Sequence, residues 1–230
     1  TDGQFDVALG PLIEAWGFGA KGATVNTPSD ARIEAALASA GRAAPLAVRD
    51  GALVKSAANS QVYLSGIGKG HGVDRVASVL QAYGITDYLV EIGGDLATSG
   101  RNLDGQPWQI GIETPDVANR NVQQIVGVSG LAVATSGDYR NYYEKDGQRY
   151  THILDATTGR PITHTTASAT VLADDAMHAD AWSTAMLTLG RDRGLEVAEA
   201  HDIAVLFIDR AADGSGFATT ASPAYSRLSA

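Results

Sequence analysis

A carboxylate and two hydroxyls at helical spacing are the residues best suited to chemistry in this chain. Asp180, Ser183 and Thr184 stand at positions i, i+3 and i+4, which share one face of a helix. All three are hard oxygen donors, and Mg²⁺ takes few such ligands from a protein while water and phosphate fill the rest of its shell. A solvated polar face, with an aspartate that stabilises the helix dipole, would show the same pattern. The apolar residues elsewhere in this segment favour a buried helix with one functional edge.

Alternating glycines form a second candidate site. They occupy four alternate positions from 66 to 72, interleaved with Ser65, Lys69 and His71. Glycine permits positive φ and lets a ligand approach the main chain closely, and the helix predicted to follow would add N–H groups suited to a phosphate. A plain strand-to-helix turn is the alternative, because the spacing matches neither the P-loop nor the dinucleotide fingerprint.

Two further segments carry polar groups that could act on a ligand. His152 lies in a predicted strand with Asp155 three residues on, so it could serve as a base beside an orienting carboxylate; a structural histidine is the alternative. Residues 135–139, Thr-Ser-Gly-Asp-Tyr, predict either a ligand-binding loop or a capped turn. The remaining histidines show no spacing suited to zinc.

Composition narrows the class of protein. The 230 residues are 44% hydrophobic, enough for a sizeable core. A net charge of −9 argues against nucleic acid as the main partner. The absence of cysteine excludes a disulfide framework, a thiolate nucleophile and a cysteine zinc site. No run approaches the roughly twenty apolar residues needed to span a bilayer. Because the chain opens with Thr1 inside an organised segment, we expect an upstream part to precede it.

The elements that must position these residues are runs of strands between isolated helices. Hydrophobic periodicity predicts helices over 11–16, 31–40, 73–83, 176–189 and 195–200. Alternation and turn signals predict strands over 46–48, 52–54, 61–65, 88–92, 108–112, 122–128, 131–134, 150–154, 167–172 and 203–208, with turns at 102–106 and 115–119. This order predicts an α+β fold with largely antiparallel sheets.

Seven sequence blocks, in order, resemble the ApbE family of flavin transferases, the FAD:protein FMN transferases. They are Asp-Gly-Gln-Phe-Asp at 2–6, Gly-Pro-Leu at 10–12 with Trp-Gly-Phe-Gly at 16–19, Gly-Ile-Gly-Lys-Gly at 66–70 with Val-Asp at 73–74, Glu-Ile-Gly-Gly-Asp at 91–95, Thr-Ser-Gly-Asp-Tyr at 135–139, His-Ile-Leu-Asp at 152–155 with Thr-Gly-Arg-Pro at 158–161, and Ala-Asp-Ala-Trp-Ser-Thr at 179–184. The resemblance implies one flavin-transferase domain over 1–230 with a T-fold-like architecture. It also implies that the N-terminal part usual in the family is absent.

The resemblance further implies an activity and a set of site residues. Members of the family move the FMN moiety of FAD onto a threonine or serine hydroxyl of a target protein, with Mg²⁺, and release AMP. By matching position, the metal ligands would be Asp180, Thr184, the Gly68 carbonyl and Ser183. The flavin site would use Asp6, Val7, Ala8, Ser65, His71 and the main chain near Leu154. His152 would deprotonate the acceptor hydroxyl, and Lys69 would help AMP to leave.

Three positions depart from the family pattern. Ala8 stands where the family often has threonine, His71 where it often has tyrosine, and Ala156 where it often has proline. Since Ala8 and His71 would adjoin the flavin, these departures affect the packing of the isoalloxazine ring more than the chemistry.

The resemblance implies partners and a location as well. The acceptors would be proteins of membrane-bound electron-transfer complexes, met in the bacterial periplasm or on the outer face of the cytoplasmic membrane, where family members are often lipid-anchored. Two alternatives remain at this point. One is a flavoprotein that binds and stores FAD, and the other is a Mg²⁺-dependent FAD pyrophosphatase, which uses water as acceptor and yields FMN and AMP.

Overall fold

The computed structural model describes residues 1–19, 27–116, 121–211, 213 and 216–229. It divides the chain into two compact units, the first formed by Thr1–Leu64 and Arg140–Thr163 and the second by Ser65–Tyr139 and His164–Ala230. The single domain predicted over 1–230 stays a prediction. Among the described residues, no helix has both the length and the apolar character needed to cross a membrane.

Five helices and fourteen strands make up the described parts of the chain. The helices are α1 (Gly10–Ala15), α2 (Asp30–Leu37), α3 (Gly68–Ala82), α4 (Ala176–His201) and α5 (Pro223–Leu228), with a 3-10 turn at Gly41–Ala43. The strands are β1 (Leu46–Arg49), β2 (Ala52–Lys55), β3 (Tyr88–Ile92), β4 (Asp95–Ser99), β5 (Trp108–Glu113), β6 (Val122–Val128), β7 (Ala132–Gly137), β8 (Tyr142–Lys145), β9 (Gln148–Thr151), β10 (Leu154–Asp155), β11 (Arg160–Pro161), β12 (Thr166–Ala173), β13 (Ala204–Arg210) and β14 (Phe217–Ala221).

Unit 2 is built on a six-stranded sheet in the order β14-β13-β12-β7-β4-β3, in which every neighbouring pair is antiparallel. Strands β5 and β6 form a separate antiparallel hairpin. Helix α4 packs on β7 and β12 and also contacts α3. Its inner side buries Met186 and Leu187 completely, as the apolar positions of this segment predict. The α+β class with antiparallel sheets is confirmed.

Unit 1 consists of α1, α2 and three antiparallel strand pairs, β1-β2, β8-β9 and β10-β11. Its core centres on Trp16, which is 2% exposed and whose Nε1–H donates to the Gly159 carbonyl oxygen at 2.7 Å. The rings of Phe18, Tyr143 and Tyr150 continue this core as stacked neighbours, with centroids 5.5 and 5.2 Å apart. Aromatic packing therefore holds the β8-β9 hairpin beside the end of α1.

Several element predictions were wrong in ways that bear on the site. Residues 61–65 form no strand, and 135–137 belong to β7 rather than to a loop. His152 lies in a bend between β9 and β10, not in a strand. The predicted turn at 115–119 lies partly outside the described residues. The two helices predicted over 176–200 are confirmed as the halves of α4, which are separated by non-helical backbone at Gly190.

The largest correction concerns the glycines, three of which lie inside the first turns of α3 instead of in a loop before it. Space rather than positive φ explains Gly70, because a Cβ there would overlap the main chain of Ala176 and Met177. Gly70 therefore allows α3 to approach the start of α4 at backbone contact.

We expect Gly70→Ala to lower the free energy of unfolding by about 1–3 kcal/mol or more, because rigid main-chain atoms must move aside. Gly72→Ala is the matched control: its Cβ would meet only the flexible end of Ile92, at 3.3 Å, so the gain in helix propensity should leave stability unchanged or slightly raised. Denaturant unfolding of both variants checks this. Equal stabilities would show that the two helices separate without cost.

Candidate active site

The polar face of α4 is buried rather than solvated. Asp180 is 2% exposed and Ser183 is 1% exposed, and Thr184 is half-buried beside them. A buried carboxylate is costly unless it meets a positive charge, a hydrogen-bond donor or a metal. The burial therefore rejects the alternative of a solvated helix face that was open from sequence.

The start of α4 is held in place from α3. Both carboxylate oxygens of Asp74 accept main-chain hydrogen bonds from α4, from the Ala176 N–H at 2.8 Å and the Met177 N–H at 2.9 Å. The N-cap residue Asp175 accepts a third, from the His178 N–H at 2.8 Å. Three of the unpaired N–H groups of the helix are thereby satisfied. This capping fixes the turn that carries Asp180.

One hydrogen bond joins the polar face of α4 to the glycine-rich start of α3. The Gly70 N–H, in the first turn of α3, donates to Asp180 Oδ2 at 3.1 Å. Ile67, the N-cap residue of α3, supplies no side-chain cap, so this end of the helix keeps its affinity for anions. Gly68 is the first residue of the helix, and the predicted metal contact of its carbonyl stays a prediction.

Ser136 of β7 joins the two hydroxyls of the α4 face. Its Oγ lies 2.9 Å from Ser183 Oγ and 3.0 Å from Thr184 Oγ1, while the Ser183 hydroxyl donates to the Asp180 carbonyl oxygen at 2.9 Å. Such neighbours orient the groups that bind a metal. Sequence reasoning placed Ser136 in a polar segment but assigned it no role, since only the pairing of β7 brings it under α4.

A second carboxylate, Asp95 at the start of β4, lies against Asp180 and was missed as a site residue. It is 1% exposed, its carboxyl group interacts directly with that of Asp180, and its Oδ2 lies 2.8 Å from Lys69 Nζ. The Gly-Gly-Asp sequence after a strand was the available signal. Lys69, predicted to contact the leaving group, is thus paired with a carboxylate in this structure.

The pKa values of both carboxyl groups reflect this crowding. Burial raises the pKa of Asp95 to about 6; the Lys69 ammonium opposes the shift and the charge of Asp180 adds to it. Burial likewise raises the pKa of Asp180, against the effects of the Gly70 N–H and Lys69. Two buried carboxyl groups thus share one lysine, and an environment of this kind favours an additional cation.

The donor set fits a hard divalent cation. In the described part of the chain, no group of three or more His, Cys, Asp or Glu residues is arranged to hold a metal. The α4 face offers one carboxylate and two hydroxyl oxygens, with Asp95 behind them. Mg²⁺ suits such a sparse oxygen set, because it retains water and takes phosphate oxygens as ligands.

A cavity of about 280 Å³ lies along β3, β4, β5 and β7 in unit 2. Its lining mixes apolar side chains with the polar groups of Glu91, Gln109 and Thr135. Thr135 and Ser136 are successive residues of β7, so their side chains face opposite sides of the sheet, and the Ser136 side chain is the one that meets α4. The cavity is therefore separate from the polar cluster.

In unit 1, His152 is held in one tautomer. Its Nδ1 lies 3.0 Å from the Asn141 carbonyl oxygen, which also accepts the His152 main-chain N–H at 3.1 Å. A carbonyl can only accept, so Nδ1 carries a proton, and in the neutral ring the lone pair is then on Nε2. The Phe18 ring meets the imidazole edge-on, with centroids 6.4 Å apart. His152 therefore has the form that a general base requires.

The remaining predicted flavin residues are divided between the units. In unit 1, Asp6 Oδ1 accepts the Ala8 N–H at 2.7 Å, and the Ala8 methyl is buried. Leu154 belongs to the core around Trp16. Also in unit 1, the Val7 carbonyl oxygen accepts the Tyr63 N–H at 2.8 Å.

In unit 2, Ser65 is exposed in a turn and His71 is exposed on α3. For the residues of both units, the contacts with a flavin stay predictions.

An antiparallel α+β fold with a buried oxygen cluster at an open helix N-terminus defines a protein that can hold a cation together with an anionic ligand. Comparison with known proteins gives the family: the ApbE family model matches residues 1–207. This chain belongs to the ApbE family.

The individual relatives agree with the family model. A curated FAD:protein FMN transferase of Vibrio cholerae serotype O1 is 47% identical over 214 residues, 93% of this chain. The apo crystal structure of the flavinyl transferase ApbE from Pseudomonas stutzeri is 43% identical and superposes with a TM-score of 0.88, covering 99% of this chain and 70% of that one. The ApbE protein of Thermotoga maritima is 32% identical with a TM-score of 0.85, covering 100% of this chain and 73% of that one.

The chain is shorter than the curated proteins it matches. It spans 64% of the Vibrio cholerae relative and 65% of a relative from Salmonella typhimurium that also carries the description FAD:protein FMN transferase. The family is thus shown for the part of those proteins that this chain covers.

Proposed function

We propose that this chain transfers the FMN moiety of FAD to a serine or threonine hydroxyl of an acceptor protein, with Mg²⁺, and releases AMP. One observation carries the proposal: the buried Asp180–Ser183–Thr184 face is joined to the uncapped N-terminus of α3 by the Gly70 N–H. Transfer of a phosphoryl-type group needs a cation and anion-binding donors in one place, and this junction offers oxygen ligands for the first and main-chain N–H groups for the second.

The residues of unit 2 would bind and orient the diphosphate. Asp180 and Thr184 would hold Mg²⁺, with Ser183 and the Gly68 carbonyl as further donors. When bound, the cation supplies neutralisation of the charge that develops on the diphosphate. The first turn of α3 directs main-chain N–H groups toward the same charge, and Ser136 keeps the two hydroxyls of α4 in position.

The role of His152 in unit 1 would be to accept a proton. As the acceptor hydroxyl attacks, a bond forms between its oxygen and the FMN phosphorus, and the bond from this phosphorus to the bridging oxygen breaks, so that AMP leaves. The hydroxyl proton would pass to Nε2 of His152, which carries the lone pair of a neutral ring whose Nδ1 donates to the Asn141 carbonyl.

We further propose that the acceptors are proteins of membrane-bound electron-transfer complexes and that the reaction takes place in the bacterial periplasm or on the outer face of the cytoplasmic membrane. The support is the acceptors and the location that the family resemblance implies, together with a net charge of −9 that suits a protein partner better than nucleic acid.

The test is the release of AMP from FAD by the purified protein. With Mg²⁺ alone we expect slow release, and much faster release once a protein with an acceptable threonine is added; EDTA should stop both. Equal rates with and without acceptor would indicate a pyrophosphatase. Tight FAD binding with no AMP under any of these conditions would contradict the transferase and favour flavin storage.

A further inference from the structure

Lys69 forms an ion pair with Asp95. A lysine that served only to bind a phosphate would not need this pair. Its Nζ lies 2.8 Å from Asp95 Oδ2 and 3.4 Å from the Gly93 carbonyl oxygen. The same ammonium acts electrostatically on Asp180. The Lys69 ammonium thus stands beside Asp95 and also acts on Asp180, next to the face proposed to hold Mg²⁺.

The two partners of this ion pair differ in freedom. Asp95 is 1% exposed at the start of a sheet strand, whereas the Lys69 side chain is 41% exposed. Lysine carries its charge on a flexible four-carbon stem, and that stem passes beside Gly93, where an added Cβ would make ordinary van der Waals contact with Lys69 Cδ at 3.4 Å. Rotation of the stem can therefore withdraw the ammonium without moving the fold.

The Asp95 oxygen that faces the ammonium is otherwise poorly satisfied. Oδ2 is fully buried and receives no well-aligned hydrogen bond from the residues that the structure describes. A buried carboxylate oxygen in this condition requires a positive charge close by. Either the ammonium or a metal ion can meet that need, but their mutual repulsion opposes their presence together.

We propose that the Lys69 ammonium is a resident counter-charge of the metal site, which an entering divalent cation displaces from Asp95. The proposal rests on the metal site of the proposed function. It makes Asp95 part of the charge that attracts the metal, and it frees Lys69 for an anionic ligand only after the metal has entered. Metal and FAD diphosphate would then bind in a favoured order, the metal first.

Two substitutions should change the affinity for Mn²⁺ in opposite directions. The affinity is measured with Mn²⁺ alone, without FAD. Lys69→Met removes the competing cation, so Mn²⁺ should bind roughly tenfold more tightly or better. Asp95→Asn removes attracting charge at constant shape, so Mn²⁺ should bind more weakly by a similar factor. A lysine that serves only the phosphate would leave the affinity for the metal alone unchanged.

The experiment is a Mn²⁺ titration followed by the electron paramagnetic resonance signal of the free ion. Lys145→Met, at an exposed position of β8, is the matched control for the loss of one positive charge and should bind Mn²⁺ as the parent does. Lys69→Arg keeps the charge and should stay near the parent value. Thermal unfolding checks that the Asp95→Asn variant is folded. If that variant does not fold, the variants of the partly exposed Lys69 still test whether the lysine competes with the metal.

Three results have distinct meanings. Tighter binding by Lys69→Met, but not by Lys145→Met, supports the displacement. Unchanged or weaker binding by Lys69→Met, in a parent that binds Mn²⁺, overturns it and leaves the proposed function standing. Absence of Mn²⁺ binding in the parent overturns the metal site of the proposed function, and the displacement with it.

Discussion

Replacement of Asp180 by alanine should abolish metal-dependent FMN transfer. Asp180 is the charged group of the α4 face, is 2% exposed and is held by the Gly70 N–H. Without its carboxylate, the two neutral hydroxyls of Ser183 and Thr184 would have to hold the cation against water. We expect the rate at fixed Mg²⁺ to fall by roughly 10²–10³-fold or more, measured as FMN incorporated into an acceptor protein.

The control for Asp180→Ala is Asp192→Ala on the same helix. The Asp192 side chain is 87% exposed and pairs with Arg191 at the surface, so its loss should leave transfer unchanged. Mn²⁺ binding separates the two variants directly: the Asp180 variant should lose it and the Asp192 variant should keep it. Undiminished transfer by Asp180→Ala would remove this residue from the metal site.

Replacement of His152 by asparagine should slow the chemical step by roughly 10²–10⁴-fold while FAD affinity stays nearly constant. Asparagine can still donate to the Asn141 carbonyl, but it offers no basic nitrogen in place of Nε2. Single-turnover kinetics with bound FAD measure the step itself, and a fluorescence titration measures the affinity for FAD.

The matched control for His152→Asn is His201→Asn, because His201 is exposed at the end of α4 and contacts the Trp182 ring. This variant should behave as the parent in both measurements. A His152 variant that loses FAD binding, but reacts normally once saturated with FAD, would show that the imidazole builds the flavin site instead of accepting the proton.

The local pattern of α4 was sufficient to predict the helix and the face that its polar residues share. Its apolar residues repeat at helical spacing, so the position of Asp180 relative to Ser183 and Thr184 followed from geometry within one helix. The break at Gly190 was also anticipated, as the gap between two predicted helices. Information of this kind lies within a few turns of chain and needs no tertiary contact.

The glycine stretch shows where local reasoning fails. Glycine usually indicates a turn or a loop, yet Gly68, Gly70 and Gly72 lie in α3. The reason for Gly70 is the main chain of Ala176, more than a hundred residues away. A close approach between two helices leaves no signal near either of them in sequence, so the sequence could not show that these glycines are helical.

Asp95 and Ser136 were missed as site residues for a related reason. Each reaches the site through sheet pairing, Asp95 at the start of β4 and Ser136 within β7, and these strands are neighbours in the six-stranded sheet. Sheet order depends on contacts that are distant in sequence. The ion pair of Asp95 with Lys69 could be found only after that order was known.

The mass of the acceptor is the direct test of covalent FMN transfer by this protein. The protein is incubated with FAD, Mg²⁺ and a peptide that contains the acceptor threonine, and the mass of the peptide is then measured by mass spectrometry. We expect a gain of one FMN in phosphoester linkage, dependent on Mg²⁺ and lost in Asp180→Ala. An unmodified peptide together with bound, intact FAD would contradict it.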